Sequence, residues 1–475
     1  MFTTVDLRSL NYATSRDYPS CSHGPCILFE RCELSGSRTR YYACSVCRNR
    51  KECPVFILES EHKLGKKSKF NRLEHSKPKM ELNISQVRQL SQEQRIYCFD
   101  CQSFVKDKMM HSNHKHLSPV SDEFLNYPTR LLSPLEESKK EAQYFFTQES
   151  VTTIVNMIEK ADVKKLLCIG APRIHEKVVN CKSNIQSVLL DIDERYRSFY
   201  EPPTYLPFNM FNHHLFDGKE AVSVLRKFLE CQENEVVGIV TDPPFGGRVE
   251  LISNTLTWIS HQWMDVNGTQ LDSHCLPFFW IFPYFMEQHI SSSLPSTHML
   301  DYKINYANHD SFSQGKKGRK HGSPVRIFTN VSPSLIPLPA EEGYRFCSLC
   351  RRWVSQENKH CSLCNSCTSK DGRTYVHCNT CNRCVKPSWK HCDKCQRCCL
   401  TDHPCGLIGP PLCKSCKQEG HKWRDCHLRE GKQISKRKPL DDLIGSSKKE
   451  CTSAKKKRKL SITHCGSEWY VSEIK

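Results

Sequence analysis

The sequence predicts an α/β fold, with one doubly wound parallel sheet flanked by several small zinc-binding modules. Residues 130–335 alternate strand-like and helix-like patterns and contain the most apolar segments of the chain. On both sides of this region CxxC pairs recur beside histidines, and the 475 residues include 30 cysteines. Because only 38% of the residues are hydrophobic, one apolar core cannot fold the whole chain, and metal binding must fold part of it.

The charge and the apolar content limit the partners. A formal net charge of +18 indicates a polyanionic partner, and zinc modules beside it favour nucleic acid. No apolar run reaches about 18 residues, the length of a membrane span, and no secretory signal opens the sequence. We therefore expect no membrane partner and a reducing compartment, where paired cysteines bind zinc rather than form disulfides.

Residues 15–60 contain the first group of candidate zinc ligands. One Zn²⁺ needs four nitrogen or sulfur ligands, and the sequence offers Cys21, His23, Cys44 and Cys53. The choice stays open because three further cysteines lie close by: Cys26, Cys32 and Cys47. The module resembles GRF-type zinc fingers, which grip single strands on nucleic-acid enzymes. Basic and aromatic residues of Ser37–Tyr42 stand in place of the Gly-Arg-Phe of that family, and a purely structural zinc is the alternative.

Residues 95–118 hold a second candidate finger. Cys98 and Cys101 precede His111 and His114 in the order of a C2H2 finger, with His116 as the alternative second histidine. The loop between the two pairs is too short for the strand and helix of a DNA-reading finger. We therefore expect this finger to contact RNA or to pack against the rest of the chain.

Residues 130–335 contain apolar runs that predict the strands of the sheet. These runs are Lys165–Gly170, Val188–Asp193, Val236–Val240 and Pro277–Pro283, with Met299–Tyr306 and Pro324–Thr329 as a closing hairpin. Ligands of doubly wound sheets bind at the carboxyl ends of the strands. The polar or glycine residues at those ends are Gly170, Asp191, Asp193 and Asp242.

The tetrapeptide Asp242-Pro243-Pro244-Phe245 directly follows the run Val236–Val240. A carboxylate and the Pro243 carbonyl can accept the two hydrogens of an exocyclic amine and orient the nitrogen lone pair, while the prolines hold the backbone rigid. The Phe245 ring can stack on an extruded base. The tetrapeptide therefore favours methylation of a nucleobase amine, with a simple proline-rich turn as the alternative.

Residues 343–408 form a cysteine array in which H-C-x2-C-x2-C occurs three times. Each unit is too small to bury a core, so metal must fold it. The spacing allows four interlocked sites, with Cys399 left over: Cys347, Cys350, His360 and Cys367; Cys361, Cys364, His377 and Cys384; Cys378, Cys381, His391 and Cys398; Cys392, Cys395, His403 and Cys405.

The last 65 residues contain a zinc knuckle and a basic tail. Residues 411–428 have the C-C-H-C spacing of knuckles that bind single strands, with ligands Cys413, Cys416, His421 and Cys426. A knuckle that contacts only protein is the alternative. Residues 429–475 are polar, with lysine-rich clusters at 436–438 and 455–459 that fit nuclear import or non-specific rRNA binding. We expect this tail to be disordered.

The α/β region resembles a Rossmann-like class I S-adenosylmethionine-dependent methyltransferase. Its D-P-P-F matches the amino-methyltransferase motif [DNS]-P-P-[FYW]. The glycine-rich loop departs from the family pattern, because only Gly170 is present before Ala171-Pro172-Arg173. The resemblance implies Asp242, Pro243, Pro244 and Phe245 as catalytic residues. It implies as cofactor-binding residues Gln143, Tyr144, Phe145, Gly170, Arg173, Asp191, Asp193, Asn212 and Asp242.

The order of modules over residues 20–426 is similar to that of the CCHC-zinc-finger adenine-N6 methyltransferases of large-subunit ribosomal RNA. This resemblance implies methylation of one adenosine, in a single strand or stem-loop of that RNA. It also implies a location in the nucleus and nucleolus, and in the cytoplasm as well. Ribosome-biogenesis or RNA-helicase proteins are the expected protein partners.

Three other functions are compatible with parts of the sequence. D-P-P-F would also serve an adenine or cytosine methyltransferase acting on DNA. The incomplete glycine loop would suit a non-catalytic RNA-binding protein. The spacing C-x2-C-x9-H-C-x2-C is similar to that of protein S-acyltransferases, but D-H-H-C and a membrane span are both absent from the sequence.

Overall fold

The computed structural model describes most of the chain. The described residues are 2–7, 18–32, 37–47, 50–64, 80–135, 143–181, 183–269, 275–309, 322–403, 405, 459–465 and 468–474. They fall into two compact units, residues 1–356 and 357–475. Among these residues, no helix combines the length and the apolar character that a membrane crossing requires.

The first module is a four-stranded sheet with a short hairpin and one helix. The sheet has the order β1-β4-β5-β6, and its small core contains Cys26, Leu28, Tyr42 and Ile57. The elements are β1 (Phe2–Val5), β2 (Ser20–Cys21), β3 (Gly24–Pro25), β4 (Ile27–Cys32), β5 (Arg38–Ala43), β6 (Phe56–Leu58) and α1 (Glu59–Lys63).

The second module is a three-stranded sheet of order β8-β7-β9 between short helices. Tyr97 and Phe104 are completely buried and pack on Phe199 of the α/β region, which joins this module to the main core. The elements are α2 (Ile84–Gln89), β7 (Ile96–Cys98), β8 (Ser103–Val105), β9 (His116–Leu117), α3 (Asp122–Asn126) and α4 (Pro128–Leu131).

The α/β region has an eight-stranded sheet of order β13-β12-β11-β10-β14-β15-β17-β16. Strands β12, β11, β10, β14 and β15 are parallel, while β13, β17 and β16 pair antiparallel. The strands are β10 (Val163–Ile169), β11 (Gln186–Asp191), β12 (Tyr205–Asn209), β13 (His214–Leu215), β14 (Val236–Thr241), β15 (Phe278–Pro283), β16 (His298–Met299) and β17 (Val325–Thr329). The predicted α/β class is therefore confirmed.

Helices cover both faces of this sheet, because the parallel strands alternate apolar residues toward two separate cores. The helices are α5 (Gln148–Lys160), α6 (Pro172–Asn180), α7 (Gly218–Leu229), α8 (Val249–Asn267) and α9 (Glu287–Ser293). The predicted strand over Met299–Tyr306 was wrong beyond Met299. The backbone continues beside β17 through Leu300 and Ile304, but only these two N–H groups donate to β17 carbonyls.

The first hairpin of the cysteine array belongs to the first unit. Strands β18 (Tyr344–Cys347) and β19 (Arg352–Ser355) pair antiparallel. The Ser355 N–H donates to Asp301 Oδ2 over 2.9 Å, and the Lys303 N–H donates to the Tyr344 hydroxyl over 3.0 Å. These bonds fasten the hairpin to the segment that follows β16.

The remaining array consists of three more two-stranded hairpins. They are β20 (His360–Cys361) with β21 (Ser366–Cys367), β22 (Val376–Cys378) with β23 (Arg383–Val385), and β24 (Trp389–Cys392) with β25 (Arg397–Leu400). In each hairpin of the array, and in the second module, the residue after the second cysteine of CxxC is left-handed. These residues are Gln102, Arg351, Asn365, Asn382 and Gln396, with φ between 44° and 55°.

Within the basic tail, two segments pair as a β-hairpin. Strands β26 (Lys459–Cys465) and β27 (Glu468–Ile474) pair antiparallel. Both strands contain β-branched and aromatic residues and flank the sequence Gly466-Ser467. This is the composition and spacing of a β-hairpin, and the lysine content of the tail concealed it.

Candidate active site and zinc centres

The acidic turn after β14 lies at the carboxyl edge of the sheet, as predicted. The Asp242 N–H donates to Ile169 O of β10 over 3.2 Å, and the Tyr306 hydroxyl donates to Asp242 Oδ1 over 2.9 Å. The side chain of Asp242 is half-buried. Desolvation raises the pKa of its carboxyl well above the usual range, and the bond from Tyr306 opposes that rise.

The two prolines fix the backbone of this turn. The Gly247 N–H donates to the Pro244 carbonyl over 2.6 Å and closes the loop. The Pro243 carbonyl accepts no hydrogen bond from any residue that the structure describes. Asp242 and the Pro243 carbonyl are therefore two acceptors on one rigid turn, as the orientation of an amine requires.

Aromatic rings surround the turn. Phe245 stacks on Tyr144 with ring centroids 6.2 Å apart and an interplanar angle of 22°. It also meets Phe282 and Tyr306 edge-on, at 6.2 and 6.0 Å. The His309 ring packs on the Tyr144 ring, with centroids 4.2 Å apart. These rings provide the flat apolar surfaces on which a nucleobase stacks.

Gly170 ends β10 next to the acidic turn with φ of 62°. A Cβ at this position would lie 3.3 Å from Asp242 O and 2.9 Å from Met210 Cε. Only glycine fits this backbone conformation and this close approach. The single glycine of the loop is thus the one that the packing of β10 against β14 requires.

Asp191 and Asp193 have different roles. Asp193 caps the turn of Glu194–Ser198, and both of its carboxylate oxygens bind Arg195, over 2.8 and 2.7 Å. Asp191 Oδ1 accepts the Asp193 N–H over 2.9 Å, a backbone hydrogen bond from Ile192 also favours the ionised carboxylate, and no lysine or arginine of the described residues forms an ion pair with it. Burial raises the pKa of Asp191 to about 7, and the nearby Asp193 carboxylate adds to this rise. Asp191 is therefore the better acceptor for a ribose hydroxyl.

The segment before α5 is held over these strand ends. The Gln143 side chain donates to Asp193 Oδ2 over 3.4 Å and accepts from Arg195 over 3.3 Å. Arg173 donates to the carbonyl of Phe146, and its guanidinium lies 5.1 Å from the Phe145 ring centroid. Arg173 thus positions the segment that contains Tyr144 and Phe145 through direct contacts with its backbone and ring.

The side chain of Asn212 binds the first zinc module. Its Nδ2 donates to the carbonyls of His23 and Pro25 over 3.0 and 2.9 Å, and its Oδ1 accepts the His214 N–H. Asn209 donates to the His23 carbonyl as well, over 2.7 Å. The two asparagines therefore hold the first zinc module on the sheet, and the cofactor contact of Asn212 stays a prediction.

The two amino-terminal sets of zinc ligands come together as predicted. His23 Nδ1 lies 3.8 Å from Cys21 Sγ and 3.5 Å from Cys44 Sγ, and Cys53 completes this group. Cys47 Sγ lies on the other ring nitrogen, Nε2, at 3.8 Å, which separates it from the group. Edges of about 3.6 Å are those of a tetrahedron around zinc with sulfur and nitrogen ligands.

In the second module the four predicted side chains also converge. Cys101 Sγ lies 3.4 Å from His111 Nδ1 and 3.3 Å from His114 Nδ1, and Cys98 Sγ lies 3.4 Å from His114 Nδ1. Glu81 Oε1 lies 2.9 Å from His111 Nε2. A carboxylate on the outer nitrogen orients a histidine toward its metal, so Glu81 is a supporting residue that the sequence did not reveal.

The array brings together three further predicted sets within residues 357–405. His377 Nδ1 lies 3.3–3.9 Å from Cys361, Cys364 and Cys384. His391 Nδ1 lies 3.2 Å from Cys381 and 3.9 Å from Cys378, with Cys398 3.7 Å from Cys381. The last set is the group Cys392, Cys395, His403 and Cys405. All these donors are types that zinc prefers.

Two predicted ligand sets do not fall within one described unit. Cys347 and Cys350 lie in the β18–β19 turn of the first unit, and His360 and Cys367 are register partners in the β20–β21 hairpin of the second. Their joint site stays a prediction. The zinc knuckle of Cys413, Cys416, His421 and Cys426 lies outside the described residues.

Comparisons with known proteins agree with this site. The family model described as "Probable N6-adenine methyltransferase" matches residues 137–326. The human protein named rRNA N(6)-adenosine-methyltransferase ZCCHC4 is 44% identical over 358 residues, which cover 72% of this chain and 69% of the relative. Proteins of the same name from Xenopus laevis and Xenopus tropicalis are 45% and 44% identical, and each match covers at least 92% of both chains.

The chain belongs to the ZCCHC4 family of N6-adenosine methyltransferases. This family is S-adenosylmethionine-dependent, and the Cys/His clusters could hold zinc. The residues at the strand ends fit the methyl donor, because Asp191 is a carboxylate without an ion pair to a described residue and Gly170 leaves the loop without a side chain. Membership in this family also decides against an acyltransferase or a binding protein without activity.

Asp191 should make methyl-donor affinity depend on pH. Because burial raises its pKa to about 7, the carboxylate that accepts a ribose hydroxyl forms only as pH rises through that value. We expect the affinity for S-adenosyl-L-methionine to rise by up to about tenfold between pH 6 and 8, as measured by calorimetry. Asp191→Asn should bind weakly at both values, whereas Asp193→Asn should lower stability and move the pH dependence to lower pH, because the Asp193 carboxylate adds to the rise in the Asp191 pKa. An equal pH dependence in Asp191→Asn would contradict this role.

Asn212 should stabilise the docking of the first zinc module. Asn212→Asp replaces its two N–H donors by a carboxylate that faces the carbonyls of His23 and Pro25. We expect a loss of about 2–4 kcal/mol of stability and faster proteolysis within residues 15–60. Asn234→Asp, at an exposed turn, is the matched control. An unchanged melting temperature and cleavage pattern for Asn212→Asp would refute the docking role.

Proposed function

We propose that this chain methylates N6 of one adenosine in large-subunit ribosomal RNA, with S-adenosyl-L-methionine as methyl donor. The observation that carries the proposal is the rigid turn at the end of β14. There Asp242 and the Pro243 carbonyl form a pair of acceptors inside a ring of aromatic side chains. The relatives are named as rRNA methyltransferases, which favours RNA over DNA as the source of the adenosine.

The residues of the turn act on the nucleophile. The lone pair of an adenine N6 is delocalised into the ring, which makes the amine a poor nucleophile. Asp242 and the Pro243 carbonyl each accept one N6–H, which localises the lone pair on nitrogen and points it toward the methyl donor. The donor supplies a methyl group that is already electrophilic. The amine loses its extra proton readily after methylation, so Asp242 need not be a strong base.

Aromatic residues hold the base and exclude water. Phe245 and Tyr144 are nearly parallel, and a flipped adenine stacks on this surface. Tyr306 donates to Asp242 Oδ1 and thereby fixes the orientation of the carboxylate. Because hydrogen bonds to an ionised acceptor stabilise it, Tyr306 also favours the charged form of Asp242 and opposes the rise in pKa that desolvation causes. Tyr306 is therefore a positioning residue.

The zinc modules bind the RNA in this proposal. The first and second modules pack on the α/β region, and the net positive charge of the chain favours their contact with the phosphate backbone. A ribosomal RNA substrate implies that the protein is located in the nucleolus and nucleus, with the cytoplasm as a further location. It also implies partners among ribosome-biogenesis proteins or RNA helicases.

Asp242→Ala should abolish methylation while RNA binding persists. Removal of the acceptor leaves the amine unoriented, and we expect methyl transfer from radiolabelled S-adenosyl-L-methionine to fall by at least about a hundredfold. Asp265→Ala, at a carboxylate on α8 that is 62% exposed, is the control and should retain wild-type activity. Methylation at the wild-type rate by Asp242→Ala would refute the assignment.

Tyr306→Phe should shift the acid limb of the pH–rate profile to higher pH. The hydroxyl lowers the pKa of Asp242, so its removal lets the pKa rise further and delays ionisation of the carboxylate. We expect a rate loss of about tenfold at neutral pH that shrinks as pH increases. The phenylalanine keeps the ring contact with Phe146. A uniform loss at every pH would indicate a purely structural role.

A further inference from the structure

A basic cavity opens between the sheet edge and the first hairpin of the cysteine array. It has a volume of about 420 Å³ and lies wholly within the first unit. No carboxylate side chain is among the residues that line it, which are His298, Ser332, Pro333, Ser334, Cys350, Arg351 and Arg352. Two guanidinium groups, two hydroxyls and an imidazole are donors suited to an anion.

Arg351 occupies a backbone position that does not suit an arginine. Its φ of 51° is left-handed, a conformation that costs most residues about 1–2 kcal/mol. The equivalent turn positions in the other described CxxC hairpins are asparagine or glutamine, and asparagine adopts this conformation more readily. Arg351 is the one arginine among the five left-handed turn positions that the structure describes, and this places a guanidinium at the cavity.

The Arg351 guanidinium has no acidic partner among the described residues, and its side chain is exposed at the cavity. Its neighbour Arg352 differs, because Arg352 Nη1 donates to the Met299 carbonyl over 3.4 Å. The hydroxyls of Ser332 and Ser334 lie 2.8 Å apart. One of them donates to the other, which leaves the second O–H available for a ligand beside Arg351.

The cavity lies within reach of RNA bound at the acidic turn. Thr241, Trp280, Phe328 and Met299 are register partners across four neighbouring strands. His298, at the cavity, is therefore about 14 Å from the level of β14 across the sheet, at roughly 4.8 Å per strand. One strand or stem-loop can span this distance, and its phosphates are the anions available there.

We propose that this cavity binds a backbone phosphate of the RNA substrate, with Arg351 as its main cation. The inference rests on the proposed function for the nature of the substrate and adds a contact away from the reacting amine. Phosphate contacts fix register without reading sequence. The cavity would therefore hold the RNA at the β16 edge of the sheet, whereas β10 lies on the other side of β14.

Arg351→Asn tests the proposal without a risk to folding, because asparagine occupies the same left-handed position at 365 and 382. The probe is an unmodified ribosomal RNA transcript, bound by the full chain at several salt concentrations. We expect Kd to increase by about fivefold and the slope of log Kd against log salt to fall by about one. The melting temperature should not decrease, and kcat at saturating RNA should stay within about twofold of wild type, because Arg351 lies away from the reacting amine.

Arg351→Lys is the matched control, since it keeps the charge at the same backbone position and should keep the wild-type salt slope. Wild-type RNA affinity in Arg351→Asn would overturn the proposal, as would a loss of affinity with an unchanged salt slope. The proposal would also be overturned if Arg351→Asn bound RNA normally but had a lower affinity for inorganic phosphate or for an acidic protein. Inactivity of the wild-type chain toward RNA would instead count against the proposed function.

Discussion

The pairing of β10 with β14 is the constraint on which the rest of the site depends. Their parallel register brings Gly170 and Asp242 to the same edge, and the Asp242 N–H is tied to Ile169 O. The close approach admits only a glycine at position 170. The proline turn and the aromatic rings are placed relative to this junction. The backbone of Asp242 is therefore fixed, and its desolvated carboxylate can face a base in one orientation.

Outside the sheet, metal coordination replaces the apolar core. The hairpins of the array are two to four residues per strand, too short to bury a core, and each CxxC turn uses a left-handed residue to fold back. Zinc at each cluster would therefore supply the folding free energy of these units. The first two modules are different, because asparagines 209 and 212 and the Tyr97–Phe199 contact also fasten them to the sheet.

Local sequence predicted the parts that depend on local spacing. Apolar runs identified four of the five parallel strands, all except β12, and the residues that end them identified the carboxyl edge, because strand direction fixes which end carries the ligand. CxxC and histidine spacing identified the five ligand sets that come together within one unit, since tetrahedral coordination tolerates few arrangements. The Asp242 turn followed from its position after a buried strand.

Long-range contacts could not be predicted in this way. Tyr306 reaches Asp242 across 64 positions of the chain, and Asn212 reaches His23 across 189, so no local pattern connects them. Asp193 resembled Asp191 until Arg195 was seen to bind both of its oxygens. Arg351 gave no signal either, because its unusual φ is visible only in three dimensions.

The central claim is that the acidic turn presents an adenine amine to the methyl donor. The most direct measurement is a single-turnover reaction of the purified chain with labelled S-adenosyl-L-methionine and an unmodified large-subunit rRNA transcript, followed by mass spectrometry of the nucleosides. Our account predicts that the label appears as N6-methyladenosine, at one residue per transcript. Label on a cytosine amine or a ribose, or no transfer by a chain that binds both substrates, would contradict it.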